Sequence, residues 1–105
     1  MGVLLYLLMT WNEFKNSLDL KAPPELNPYQ TALWFDGKGN WDQAHDIVQE
    51  INDKQAAWIH AYLHRKEGDN WNANYWYRRA GKEMPDGTLE DEWEMIGRSL
   101  INQQF

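Results

Sequence analysis

The fold is decided by the stretch Ala61-Tyr62-Leu63-His64-Arg65-Lys66-Glu67-Gly68-Asp69-Asn70-Trp71-Asn72-Ala73-Asn74-Tyr75-Trp76-Tyr77-Arg78-Arg79-Ala80-Gly81. It reads as the end of one helix, a tight turn at Gly68-Asp69, and a second short helix closed by Gly81. Glycine suits both places, because without a Cβ it takes a left-handed backbone freely. The stretch has an earlier echo. Ala32, Gly39, Asn40 and Ala44 recur 29 positions later as Ala61, Gly68, Asp69 and Ala73, with no gap. Two helical hairpins side by side follow from this, over residues 28–81, with the rest of the chain flanking them.

Working back from the stretch, Lys54 to Glu67 is apolar over much of its circumference: Ala56, Ala57, Trp58, Ile59, Ala61, Tyr62 and Leu63. A helix with so little polar surface belongs at the centre. Asn52-Asp53 breaks the chain and caps it. The preceding helix, Trp41–Glu50, starts at Asn40 and carries Trp41, Ala44, Ile47, Val48 and Ile51 at helical spacing. Before it, Asn27-Pro28 opens a helix, with Asn as N-cap and Pro in the first position. That helix is expected to run to Asp36 and to end in a left-handed cap at Gly37. Pro23-Pro24 excludes a regular helix between Asp19 and Asn27. Thr10-Trp11-Asn12-Glu13 has the form of a capping box, starting a short helix to about Leu18 with Trp11, Phe14 and Leu18 on one face.

The N-terminal extension, residues 1–9, is nearly all apolar. It is too short to span a bilayer, which takes about 20 residues. It also lacks the basic start and the small-residue cleavage site of a signal peptide. Two expectations remain open: an upstream start, with Met9 the natural beginning, or a helix that packs on the domain or on a second copy.

Beyond Gly81, Pro85-Asp86-Gly87 marks a turn. Thr88 then caps a final helix over residues 88–103. Glu90, Asp91 and Glu92 fill its first turn, where the helix dipole favours negative charge. Glu94 is placed to pair with Arg98 four residues on. Trp93, Ile96, Leu100 and Ile101 form its apolar stripe. No segment alternates convincingly with period two, so the chain reads as all-α, with five or six helices.

A chain of 105 residues makes one domain with one core. Its seven Trp can fill a helical interior with few side chains. The net charge of -6 argues against a nucleic-acid footprint and fits a soluble protein or one with a basic partner. With no cysteine there is neither a disulfide framework nor a thiolate metal site. The simplest compartment is the cytoplasm. Nothing points to a membrane.

Gly-[Asn/Asp]-x-x-x-Ala at a hairpin turn, with a small residue seven before the Gly, resembles the tetratricopeptide repeat. In that family two antiparallel helices approach closely at small residues; Ala32 with Ala44, and Ala61 with Ala73, match those positions. Trp41 matches the aromatic that follows Gly-[Asn/Asp]; Asn70 does not, and Trp71 comes one residue late. The spacing of 29 is shorter than the family's roughly 34, and two repeats are fewer than the usual three or so. On this resemblance the N-terminal and final helices would act as caps. The stretches around Trp34–His45 and His60–Asp69 also resemble a family of small uncharacterised bacterial proteins, which implies no activity.

The tetratricopeptide resemblance implies that the first helix of each hairpin lines a concave peptide-binding face. By position that face carries Tyr29, Leu33 and Asp36 from one hairpin, and Trp58, Tyr62, Arg65 and Lys66 from the next. Aromatic rings would supply contact area and Arg or Lys would meet a carboxylate. The competing expectation is that the flanking helices cover these residues and make them plain core. His60 and His64, four apart on one helix, share a face, and His45 lies on the helix before. With a third ligand they could hold Zn²⁺, although His60-Ala61-Tyr62-Leu63-His64 lacks the Glu of the zinc-protease helix. Buried rings hydrogen-bonded to neighbours are the simpler expectation. Arg65, Glu67, Asp69 and Arg78 are expected to form an ion-pair network that fixes the second hairpin. There is no Gly-rich phosphate loop and no nucleophile elbow. The expectation is therefore a protein–protein interaction or assembly module without catalysis or cofactor, able to form a homodimer through residues 3–9 and exposed Trp. The alternative is a small metal- or ligand-binding protein that uses His45, His60 and His64.

Overall fold

Six α-helices organise residues 9–102, the part of the chain that the computed structural model describes; no strand occurs among these residues. They are α1 (Trp11–Asn16), α2 (Pro28–Gly37), α3 (Trp41–Gln49), α4 (Lys54–Lys66), α5 (Asn70–Ala80) and α6 (Leu89–Asn102). The all-α expectation is met. No described helix is long and apolar enough to cross a membrane. The apolar extension lies outside the described residues except for Met9, which packs against the core.

Side-chain oxygens start the helices, because the first backbone N–H groups of a helix have no partner within it. Thr10 Oγ1 accepts from the N–H of Glu13 at 3.1 Å, and Glu13 Oε1 accepts from the N–H of Thr10 at 2.8 Å. The capping box is therefore used. Helix α1 is shorter than expected, giving way to a 3-10 turn over Ser17–Asp19. Asn27 and Gln30 form the same reciprocal pair at the start of α2. Asn40, Asp53, Asp69 and Thr88 each accept from a backbone N–H three residues on.

The turns of the two hairpins are closed alike. Gly39 and Gly68 are both left-handed, with φ of +84° and +85°. In the first turn the N–H of Asn40 donates to Phe35 O; in the second that of Asp69 donates to His64 O. The left-handed residue is thus Gly39 and not Gly37 as expected. Gly37 remains helical, in close packing: a Cβ there would lie 3.0 Å from both Leu18 and Trp93.

Helix α2 pairs with α3, and α4 with α5. Ala32, Ala44, Ala61 and Ala73 are all 0% exposed. Helix α6 packs on α1, α2 and α4, so it lies across the first helices of both hairpins. The apolar stripe of α6 drives it: Ile96, Leu100 and Ile101 are buried as expected, beside a half-buried Trp93. Trp93 stands 5.4 Å from Trp11 and 5.9 Å from Phe14, ring centre to ring centre. Its Nε1 donates to Leu33 O at 3.1 Å, pinning α6 to α2.

Candidate functional sites

Three places hold the candidate residues: the face under α6, a histidine cluster between the hairpins, and the outer surface of α5. The face under α6 comes first. Leu33, Asp36 and Tyr62 are interior, and Trp58 is half-buried. Asp36 accepts from the Tyr62 hydroxyl and from Lys66 Nζ, both at 2.9 Å. Burial first, then the Asp36 charge and hydrogen bond, push the Tyr62 hydroxyl well above its usual value, so it stays a donor. Tyr29 stands apart, its hydroxyl bonded to Asp53 near the α4 N-terminus. The face is therefore largely covered, as the competing expectation of plain core had it. The physical reason is the α6 stripe, which finds its apolar partner there.

What stays open is a cleft of about 400 Å³ beside α6, where Asp36, Tyr62 and Lys66 meet Trp11, Leu18 and Trp93. Deeper in, the remaining two candidates meet a residue that sequence reasoning placed only in a charged first turn. Glu92 is 1% exposed. It accepts from Arg65 Nη1 at 2.9 Å, from Trp58 Nε1 at 3.2 Å, and from the Tyr77 hydroxyl at 2.6 Å and 2.7 Å. Arg65 also donates to Gly87 O.

The expected network of Arg65, Glu67, Asp69 and Arg78 does not form. Asp69 is taken up by its capping bonds to Asn72, Glu67 bonds His64, and Arg78 is exposed. Arg65 turns to α6 instead. The spacing of Glu92 before the buried Ile96 placed it on the inner face of α6, and that was the available signal.

The three histidines do come together. His45 comes from α3, and His60 and His64 from successive turns of α4. His45 Nε2 and His60 Nε2 are 3.0 Å apart, a hydrogen bond in which one ring donates to the other. His64 Nδ1 is 2.6 Å from Glu67 Oε1. One ligating atom from each ring falls within a set spanning no more than 4.8 Å. Two Trp form walls. Trp41 stacks on His45 at 4.9 Å between ring centres, and Trp76 on His60 at 3.9 Å. Trp41 is itself tied by Nε1 to Leu63 O at 2.8 Å. Burial, reinforced by His45 and His64, pushes the His60 imidazole down from 6.5 to about 3; burial and His64 also lower His45.

The outer surface of α5 is the third place. Ala73, Tyr77 and Ala80 face inward, which turns Trp71, Tyr75 and Arg79 outward. Trp71 is 77% exposed and Tyr75 39%. The Arg79 guanidinium lies 5.8 Å from the Tyr75 ring centre and 5.3 Å from that of Trp76. Beside them is a groove of about 300 Å³ lined by Asn52, Asp53, Lys54, Ala57, Trp76 and Arg79. The spacing of four along one helix made this stripe legible, but its exposure was not. Comparisons with family models, with curated proteins and with solved structures found no match for the chain.

Proposed function

We propose that this protein is a protein–protein interaction or assembly module without catalysis, built from two tetratricopeptide-like hairpins. The observation that carries the reading is the exposed stripe of Trp71, Tyr75 and Arg79 on α5. Leaving a Trp ring in water forgoes a favourable burial worth about 1.5–3 kcal/mol for a large apolar side chain. Single exposed apolar residues are ordinary. Here, though, Trp, Tyr and Arg lie four residues apart on one face, and these are the residue types that dominate binding energy at protein interfaces. The matching turns at Gly39 and Gly68 and the buried Ala pairs support the hairpin kinship. The cleft beside α6, with Lys66 at its rim, supports a second contact for a peptide on the same reading.

The simplest partner to test is a second copy of the chain. Light scattering across a concentration series is expected to show dimers. Trp71→Ala is then expected to weaken association by about 2 kcal/mol or more, near 30-fold in Kd. A wild-type chain that stays a single copy throughout removes the homodimer. Loss of the interaction module as a whole follows if, in addition, Trp71→Ala and Tyr75→Ala leave every contact made in the source cell unchanged.

A further inference from the structure

We propose that His45, His60 and His64 form a three-nitrogen site for a divalent first-row transition metal, with Zn²⁺ as the reference ion. The site is independent of the α5 stripe and does not rest on the interaction reading.

The geometry is close to what such an ion requires. Zn–N bonds of about 2.0–2.1 Å in a tetrahedron place ligand nitrogens roughly 3.3 Å apart. His45 Nε2 and His60 Nε2 are 3.0 Å apart, and the three ligating atoms lie within 4.8 Å of one another. Small rotations of the half-buried His45 and His64 rings cover the difference. The backbone is already in place, because His60 and His64 project from one face of α4 and His45 from the adjoining α3. Stacking on Trp41 and Trp76 limits how far His45 and His60 can turn away.

The tautomers suit coordination. Glu67 Oε1 accepts the Nδ1 proton of His64 at 2.6 Å, which leaves the Nε2 lone pair free. A carboxylate behind a ligating histidine orients the ring and raises its basicity. In the metal-free chain one proton lies between His45 Nε2 and His60 Nε2. On binding, the ring that carried it becomes the Nδ1–H tautomer, so that both Nε2 lone pairs face the ion. Three nitrogen ligands leave one tetrahedral position for water. Imidazole donors without thiolate or carboxylate favour Zn²⁺, Cu²⁺, Ni²⁺ or Co²⁺ over Mg²⁺ and Ca²⁺.

A second grouping, His64 with Glu67 and Asp69, is weaker. Asp69 is committed to capping α5 through Asn72, and Glu67 already serves His64.

The test uses the full, untagged chain stripped with a chelator. Titration with Zn²⁺ by calorimetry, and with Co²⁺ by visible absorption, is expected to give one ion per chain and a tetrahedral Co²⁺ band. His64→Ala is expected to abolish stoichiometric uptake. Glu67→Gln is expected to keep the stoichiometry and lower affinity about 10–100-fold, as loss of a ligand-orienting carboxylate does. Removing the buried His60 ring also disturbs packing, so the wild-type chain carries a second test. Nitrogen NMR of the imidazoles is expected to show Zn²⁺ shifting a ring nitrogen in all three histidines. Folded chain that takes up no ion, or uptake that leaves these ring signals unmoved or survives His64→Ala, overturns the site.

Discussion

Glu92 carries a carboxylate into the interior, where an unpaired charge is severely unfavourable. Arg65 supplies the opposite charge, and Trp58 and Tyr77 supply further donors. Burial, followed by the Glu92 hydrogen bond, raises the Tyr77 hydroxyl well above its usual value and keeps it protonated. Glu92→Gln preserves shape but leaves Arg65 without its counter-ion. It is expected to cost about 3–5 kcal/mol in urea unfolding, the range for breaking a buried pair; a cost below 1 kcal/mol would mean that Arg65 finds compensation in water. His60 gives a pH dependence of definite sign. Its folded value of about 3 lies below the 6.5 of the free imidazole, so the unfolded chain takes up the proton first. His45 and His64 are the titrating groups that face it. The His60 contribution is therefore complete above pH 6.5 and is lost as pH falls toward 3. In the metal-free chain the unfolding free energy should fall by about 1.4 kcal/mol for each pH unit within that window from this group alone. His60→Phe, compared with wild type over the same window, checks the assignment, since the slope should diminish in the variant.

Glycines do two different jobs in the helical elements. At Gly68 the requirement is backbone conformation: φ is +85°, and a Cβ would meet nothing within 4 Å. Gly68→Ala is expected to cost about 1–2 kcal/mol, the left-handed penalty of an L-residue, and Gly68→Asn less, because Asn tolerates that region. Within α6 the requirement at Gly97 is space. A Cβ there would sit 2.2 Å from the Trp11 ring, which stacks on Phe14 and packs against Trp93. Ala is the better helix former by about 1 kcal/mol, so propensity alone favours Gly97→Ala. Overpacking should reverse the sign and destabilise by about 1–3 kcal/mol. Thermal midpoints of the Gly68 and Gly97 variants separate the two roles, and a Gly97→Ala chain more stable than wild type would refute the packing account.

Across the whole molecule, α6 converts a pair of hairpins into one closed body. Glu92 joins α6 to α4 and α5, Trp93 joins it to α2, and Gly97 receives Trp11 from α1. The main core cluster is thereby shared by α6 with α1 to α4, beside a smaller cluster of Ala61, Ala73 and Tyr77 between α4 and α5. Urea unfolding followed by Trp fluorescence and by far-ultraviolet circular dichroism should therefore give coincident transitions. Separated transitions would show hairpins that fold by themselves, as in an open repeat array.

Local rules carried the sequence reading where the cause is local. The caps at Thr10, Asn27, Asn40, Asp53 and Thr88, the turn at Gly68 and the stripe of α6 each depend on residues within a turn or two, so they are legible one segment at a time. Gly37 was misread because Gly39, two residues on, serves the left-handed turn equally well by local rules; the contact with Trp93 decides it. Spacing also placed His60 and His64 on one face, while the arrival of His45 at 3.0 Å depends on how α3 docks against α4. The covering of Leu33, Asp36 and Tyr62, and the burial of Glu92 against Arg65, were decided only by where α6 settles. An amphipathic helix specifies which of its faces must be buried, but not which neighbour buries it. That choice belongs to the packing of the assembled chain.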